Sequence, residues 1–516
     1  MTQATDFSEQ NRPYMSELLK HSIIFASATF ISRILGLVRD GFFAHYFGTA
    51  PEYSVYLLAI GLPFYLRQMF AEGALSSAFI PLFTRKEGKE KQVFLSTAFW
   101  LLLIVTIILY DLVLIFSDQI SFVLGSGLTP EMRDLMSFLL KITFPFITFI
   151  SLWAIISGVL NTYGLFFVTA ISPALSNIVI ILAVVMSGLF IPKILGPTIG
   201  FVLGGVLQLI FVLLFLKKTN MRITMDYKRT YTKEILNLFG PAFLGASVSM
   251  LNTVIDTSIA TWTGDSGVSI ISYALRIYQL PLSLFSVSVA NSLLPKLSRA
   301  VVEKDKTAYS KNLRDSVNII LFFTVPSCIA LLFLNRDIIS LIFEHGNFSS
   351  QDSIAVGAVL AAYAVGLPFY SLHTIFIRTY HSKLNTKYPM YVAVILLVVN
   401  TVLDMIFAKN LGPVGIALAT SFSGVIGFIL TGFKSLKYFS SKDFAEMGKI
   451  LLASLCMLST MTLNLFISDS FFLKLIKIIL SCIIFFAVAY LLKVRQLSSA
   501  ITLINSKLDK KHGSSK

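Results

Sequence analysis

The chain has 516 residues, 55% of them hydrophobic and 13% charged, with a mean hydropathy of +0.78. A soluble domain carries about 25% charged residues, so a water-soluble fold of this size is excluded. The net charge of +15 would suit a nucleic-acid binder only if the cations shared one soluble face; they lie instead in short connections between apolar runs, and no nucleic-acid partner is expected.

Residues 1–17 are polar, with no apolar core or small-residue cleavage site of a signal peptide, so they are expected to form a cytoplasmic N-terminal tail ahead of a retained first span. Apolar runs and breakers then predict spans 1 to 7 near 21–47, 53–83, 92–116, 132–160, 169–190, 196–216 and 232–262. Spans 8 to 14 are predicted near 268–295, 315–334, 353–380, 388–408, 413–433, 450–466 and 471–492. Each is long enough to cross about 30 Å of hydrocarbon as a helix. Strand-like alternation is absent from the pattern, which argues against an outer-membrane barrel.

Lys and Arg concentrate in the connections at 85–91, 217–233, 296–314, 383–387 and 434–449, whereas the opposite set holds only Lys193, Arg336 and Lys409. The positive-inside rule puts the first set in the cytoplasm, and an even number of spans then leaves both termini there, in a bacterial inner membrane. The chain also matches itself at an offset of roughly 216–224 residues: Pro173 precedes Pro197 by 24, as Pro389 precedes Pro413. Pro145-Phe146 before Leu160-Asn161-Thr162 is echoed by Pro368-Phe369 before Leu384-Asn385-Thr386, and Leu62-Pro63 by Leu280-Pro281. These matches predict an all-α membrane protein of about fourteen spans: two six-helix lobes in parallel repeat, at 18–218 and 219–440, then a helix pair at 441–495 and a cytoplasmic tail at 496–516.

An ionisable group at bilayer depth costs about 2.5–3.5 kcal/mol on insertion scales, so each such residue invites a functional reading. Span 1 carries Arg33, Arg39 and Asp40, span 2 Arg67 and Glu72, and span 8 Arg276; Lys141, Asp111, Asp256, Arg378 and Asp404 lie elsewhere. Arg33 and Arg39 are six residues apart, about 120° around a helix, so both can line one cavity wall. The guanidinium fork fits phosphate oxygens, which makes arginines from several helices a diphosphate receptor; the competing reading is of structural pairs, Arg39 with Asp40 and Arg67 with Glu72, or of snorkelling side chains. Asn400 and Asp404 are one turn apart, with Asp256 on span 7 and Thr420 on span 12, a set of hard oxygen donors suited to a cation; a protonated or proton-relaying Asp is the alternative. His45, His373 and His381 are scattered, Cys328, Cys456 and Cys482 are isolated in apolar segments, and no nucleophile–base set or phosphate loop is present, so neither catalysis nor a cofactor is expected.

The segments SRILGLVRD, LPFYLRQMFAEGALSSAFIPLF, ISPALSNI, GPAFLGASVS, YALRIYQLP, LLPKLS and FEHGNFS resemble, in order from about residue 18 to 435, the MurJ/MviN family of lipid II flippases, part of a superfamily of multidrug and oligosaccharidyl-lipid exporters. The resemblance implies that Arg33, Arg39, Arg67 and Arg276 hold the diphosphate of undecaprenyl-diphosphate-linked disaccharide pentapeptide, with Asp40 orienting Arg39. It implies a sodium site, with sodium as coupling ion, from Asp256, Asn400, Asp404, the Ile416 carbonyl and Thr420, and a lipid-tail groove in the last helix pair. Lipid II, membrane lipids and cell-wall synthesis or division proteins are the partners it implies. Ser54, Gln68 and Leu275 depart from the pattern of many relatives. The rival functions are export of another polyprenyl-linked glycan and a non-transporting scaffold for cell-wall or division enzymes.

Overall fold

The computed structural model describes residues 12–68, 76–460, 470–499 and 501–502, without the side chains of 12–26, 76–78 and 238–249. Glu72, most of the two tails and the end of span 13 therefore lie outside the described residues. Every regular element among the described residues is helical. In chain order they are α1 (Arg12–Phe47), α2 (Pro51–Arg67), α3 (Ser76–Thr84), α4 (Gly88–Leu124), α5 (Pro130–Thr143), α6 (Phe146–Thr162), α7 (Phe166–Val185), α8 (Leu195–Leu216) and α9 (Arg229–Ala260). They continue as α10 (Gly267–Pro281), α11 (Ser288–Val302), α12 (Lys306–Phe333), α13 (Asn335–Phe343), α14 (Ser350–His381), α15 (Lys387–Leu411), α16 (Pro413–Gly432), α17 (Ser441–Cys456) and α18 (Phe471–Leu491). Among the described residues, ten helical stretches are long and apolar enough to cross a membrane, at the places of spans 3–6, 8–12 and 14. Helices also occupy the places of spans 1, 2, 7 and 13, the first two bearing the arginines that lower their hydropathy.

The helices depart from uniform rods where proline removes a ladder donor. Span 4 breaks at Phe144-Pro145, between α5 and α6. Span 8 opens after Pro281 into a π-helical stretch, Leu282–Val287, before α11 begins. Span 10, by contrast, runs unbroken through Pro368 within α14. Ser421 of α16 reinforces the turn before that proline: its hydroxyl donates to Ala362 O at 2.6 Å and accepts from Gly366 N–H at 3.1 Å. A partner side chain thus supports the weakened ladder.

The chain divides into two compact units, Met1–Thr261 and Trp262–Lys516. In the first, α1 lies against α7, α7 against α8, α6 against α8, and α2 against α5. The connector after α8 folds back onto α4: Trp100 Nε1 donates to Thr224 O at 2.8 Å, Thr224 N–H to Ser96 Oγ at 2.9 Å, and Lys228 N–H to Thr97 Oγ1 at 3.1 Å. Lys86 pairs with Glu234 of α9 at 3.1 Å, and α9 packs on α3 and α4, so packing places it in the first unit even though the sequence duplication begins before it.

In the second unit α14 is central, packed on α10, α12, α13 and α16. The connector after α16 returns to α12 as its counterpart returns to α4, with Tyr438 5.3 Å from Tyr309 and Asp443 3.6 Å from Arg314. α17 and α18 pack on each other and on α12; Glu446 accepts from Arg495 N–H, and Lys477 of α18, 1% exposed, pairs with Asp337 of α13 at 2.8 Å. The helix pair is thus tied to the rest of its unit by Asp443–Arg314 and Lys477–Asp337.

Candidate functional site

In the first unit the site is built on α1. Its outward stripe of Phe30, Ile31, Ile34 and Val38 is exposed and apolar, while Phe43, Ala44 and Phe47 are buried. Tyr53 and Tyr56 at the start of α2 pack on Phe43, with ring centroids 4.8 and 5.1 Å away. That packing fixes the turn carrying Arg39 and Asp40.

Asp40 is 4% exposed. Its Oδ1 accepts from Arg39 Nε at 3.1 Å and Nη2 at 2.8 Å. Asn177 of α7, a residue the sequence reading passed over although ISPALSNI contains it, accepts from Arg39 Nη1 at 3.1 Å and donates to Ser32 O at 3.2 Å. Its amide orientation is fixed by the two partners, since a flip would set an NH2 against the guanidinium. Three of the five guanidinium N–H groups are engaged among the described residues, which leaves one on each terminal nitrogen of a side chain that is 22% exposed. The ion pair expected from the sequence is present, and it consumes one side of the fork rather than all of it.

Arg33 is exposed and makes no side-chain hydrogen bond or ion pair among the described residues. Arg67 ends α2 half-buried, its guanidinium 4.6 Å from the centroid of the Phe64 ring. Arg276 lies in the second unit, exposed on α10 opposite the buried Ala274, Ile277 and Tyr278 that face the unit's core. Ser54 is fully buried, Leu275 intermediate, and Gln68 caps α2. Arg378 donates to Asn291 of α11 at 3.1 Å, and His373 is buried with Nδ1 3.1 Å from Thr431 Oγ1, a packing role.

The second cluster divides between the units. Asn400 and Asp404 of α15 are 4% and 0% exposed, and Asn400 Nδ2 donates to Asp404 Oδ2 at 2.7 Å. On α16, Thr420 Oγ1 donates to Ile416 O at 3.2 Å. Ser423, also unforeseen, donates to Asn400 Oδ1 at 2.9 Å. Asp256 belongs to α9 in the first unit, where Asn252 Nδ2 donates to its Oδ2 at 2.9 Å. The second unit therefore joins the Asp404 carboxylate, the Asn400 amide and the Ser423 hydroxyl in one buried hydrogen-bonded chain, with Ile416 and Thr420 on the same helix as Ser423. No group of three His, Cys, Asp or Glu side chains that could hold a metal occurs among the described residues.

A family model described as lipid II flippase MurJ matches residues 43–486. A lipid II flippase MurJ from Thermosipho africanus is 40% identical over 468 residues, covering 91% of this chain and 95% of that protein. A probable lipid II flippase MurJ from Thermotoga maritima is 34% identical over 442 residues, 85% of this chain and 89% of that protein. Among solved structures, a lipid II flippase MurJ in an inward closed conformation aligns with a TM-score of 0.80 at 39% identity, covering 91% of this chain and 98% of that one. An inward-facing multidrug resistance MATE family transporter aligns with a TM-score of 0.65 at 17% identity, covering 81% and 99%, a likeness of fold alone.

Proposed function

Because this chain belongs to the MurJ family of lipid II flippases, we propose that it moves lipid II, undecaprenyl-diphosphate disaccharide-pentapeptide, from the cytoplasmic to the periplasmic leaflet of the inner membrane. The observation that carries the reading is Arg39: a guanidinium fixed on one side by Asp40, steadied by Asn177, and left with two N–H donors among the described residues. A fork so held matches two phosphate oxygens and retains its charge in a dry cavity. Arg33 and Arg67 on α1 and α2 supply further positive charge for a diphosphate. Transport by alternating access brings the head group to these arginines from the cytoplasm and releases it to the periplasm, while the tail stays in the bilayer along the last helix pair. Both termini face the cytoplasm in this scheme, and no covalent chemistry is required.

A carrier of this kind returns to its starting state only if something biases the two states, because a ligand shifts an equilibrium by its differential affinity alone. Sodium is the proposed coupling ion, with Asn400, Asp404, the Ile416 carbonyl and Thr420 of the second unit as its proposed ligands. Burial supports this: a carboxylate as enclosed as Asp404 needs a counter-charge or a proton, and the Asn400 amide that donates to it, like the Ser423 hydroxyl beyond, is uncharged. Bound there, sodium supplies the charge that lets the carboxylate stay ionised.

The test is depletion of the protein in growing cells with a leaflet-specific assay for lipid II. Accumulation on the cytoplasmic face, reversed by wild-type protein but not by Arg33→Ala, is the expected result. Unchanged lipid II distribution together with lost cell-wall assembly would mark a scaffold instead.

A further inference from the structure

We propose that Asn177 is a positioning residue that sets the diphosphate preference of Arg39, an inference that rests on the proposed lipid-diphosphate substrate. Arg39 reaches it from 138 residues away, and the contact joins α1 to α7. The amide works in both directions. Its oxygen holds Nη1 of Arg39 at 3.1 Å, and its nitrogen holds the Ser32 carbonyl at 3.2 Å, on the turn adjoining Arg33. Gly36 lies beside this contact: a Cβ there would lie 3.9 Å from Asn177 Nδ2, at ordinary van der Waals distance. Asp40 fixes the Nε–Nη2 side of the guanidinium, and a single carboxylate oxygen leaves the plane free to swing about that contact. Asn177 removes the swing by pinning the third nitrogen. With both constraints in place the two remaining N–H groups keep a constant direction, the condition for bidentate capture of phosphate oxygens.

The choice of an amide is part of the device. A carboxylate at this position would also hold Nη1, but with Asp40 it would set two negative charges on one guanidinium and cancel its attraction for a phosphate. Asn177 orients Arg39 without discharging it. Because it also holds the Ser32 carbonyl, it braces the helix turn next to Arg33.

The experiment uses the purified full-length protein in detergent, with farnesyl diphosphate and farnesyl monophosphate as probes and the unfolding temperature measured for every variant. Asn177→Ala is expected to weaken farnesyl diphosphate binding about tenfold, the scale of one hydrogen bond to a charged group. It should affect the monophosphate less, so the preference between the probes narrows. Asn177→Asp, which keeps an acceptor for Arg39 but loses the donor to the Ser32 carbonyl, should stay folded with a somewhat lower unfolding temperature and bind the diphosphate at least as poorly. If Asn177→Ala fails to fold, Asn177→Asp carries the test. Equal losses for both probes, or wild-type affinity in both variants while Arg39→Ala loses it, overturn the role of Asn177 and leave the substrate reading standing. Wild-type protein that does not favour the diphosphate overturns the substrate reading, and this inference with it.

Discussion

Replacing Arg39 by alanine should damage the fold as well as transport, whereas replacing Arg33 should damage transport alone. Asp40 is 4% exposed and receives two hydrogen bonds from Arg39. Removing the guanidinium leaves a buried carboxylate without that cation, and breaking a buried ion pair costs about 3–5 kcal/mol. Since Arg39 itself is 22% exposed, the lower end applies, and water entering the vacated space keeps the loss near about 3 kcal/mol. On a cooperative unit of a few hundred residues this lowers the unfolding temperature by about 5 °C or more. Arg33 is exposed and makes no such pair among the described residues, so Arg33→Ala should stay within about 0.5 kcal/mol of the wild type. The assay is thermal unfolding of detergent-solubilised protein beside complementation of a depletion strain. Both variants should fail to complement, and only Arg39→Ala should melt early. An Arg39→Ala variant with wild-type melting would refute the argument that Asp40 depends on this pair.

Sodium chloride, compared with potassium or choline chloride at fixed pH, should raise the wild-type unfolding temperature, by about 2.7 kcal/mol of stability at a hundredfold excess over the dissociation constant; Asp404→Asn should abolish the effect, and an unresponsive wild type would remove sodium from the mechanism. Lys477→Met should destabilise the protein by about 3 kcal/mol because Asp337 loses its partner, and adding Asp337→Leu should recover most of that loss; equal melting of single and double variants would contradict it. Although burial opposes its charge, the Asp443 carboxyl sits below its ordinary range through hydrogen bonds from the Ser440 hydroxyl and N–H and the nearby Arg314. A lowered native value means that its stabilisation is complete above the unfolded value of about 3.9 and fades as pH falls through the native one. Hydrogen exchange over 441–456 should therefore be indifferent to pH between about 5 and 8, apart from intrinsic chemistry, and accelerate below about 4, with Asp443→Asn removing the acid dependence.

Apolar runs were enough to place the ten membrane-length helices among the described residues, because hydrocarbon thickness sets span length directly, but not the short helix Asn335–Phe343 between spans. The breaks were not legible: Leu62-Pro63, Leu280-Pro281 and Pro368-Phe369 look alike in sequence, yet span 8 opens into a π-helical stretch after Pro281 while span 10 continues through Pro368 with support from Ser421 of another helix. Arg39 and Asp40 were readable as charges out of place, but Asn177 was not, since a contact across 138 residues leaves no periodic trace. Ser423 could have been found: Ile416, Thr420 and Ser423 fall at i, i+4 and i+7, one face of a helix. Lys477 escaped because orientation was read from loop cations alone, and its partner Asp337 sits on a short helix between spans.

The most direct test of the central claim is the movement of fluorescent lipid II across the membrane of vesicles containing the purified protein, scored by chemical quenching of the outer leaflet. Wild-type protein should move lipid II, and the Arg33→Ala variant, which keeps its fold, should not. Movement at the same rate by both, or none above that of protein-free vesicles with the wild type, would contradict an arginine-bound lipid-diphosphate carrier.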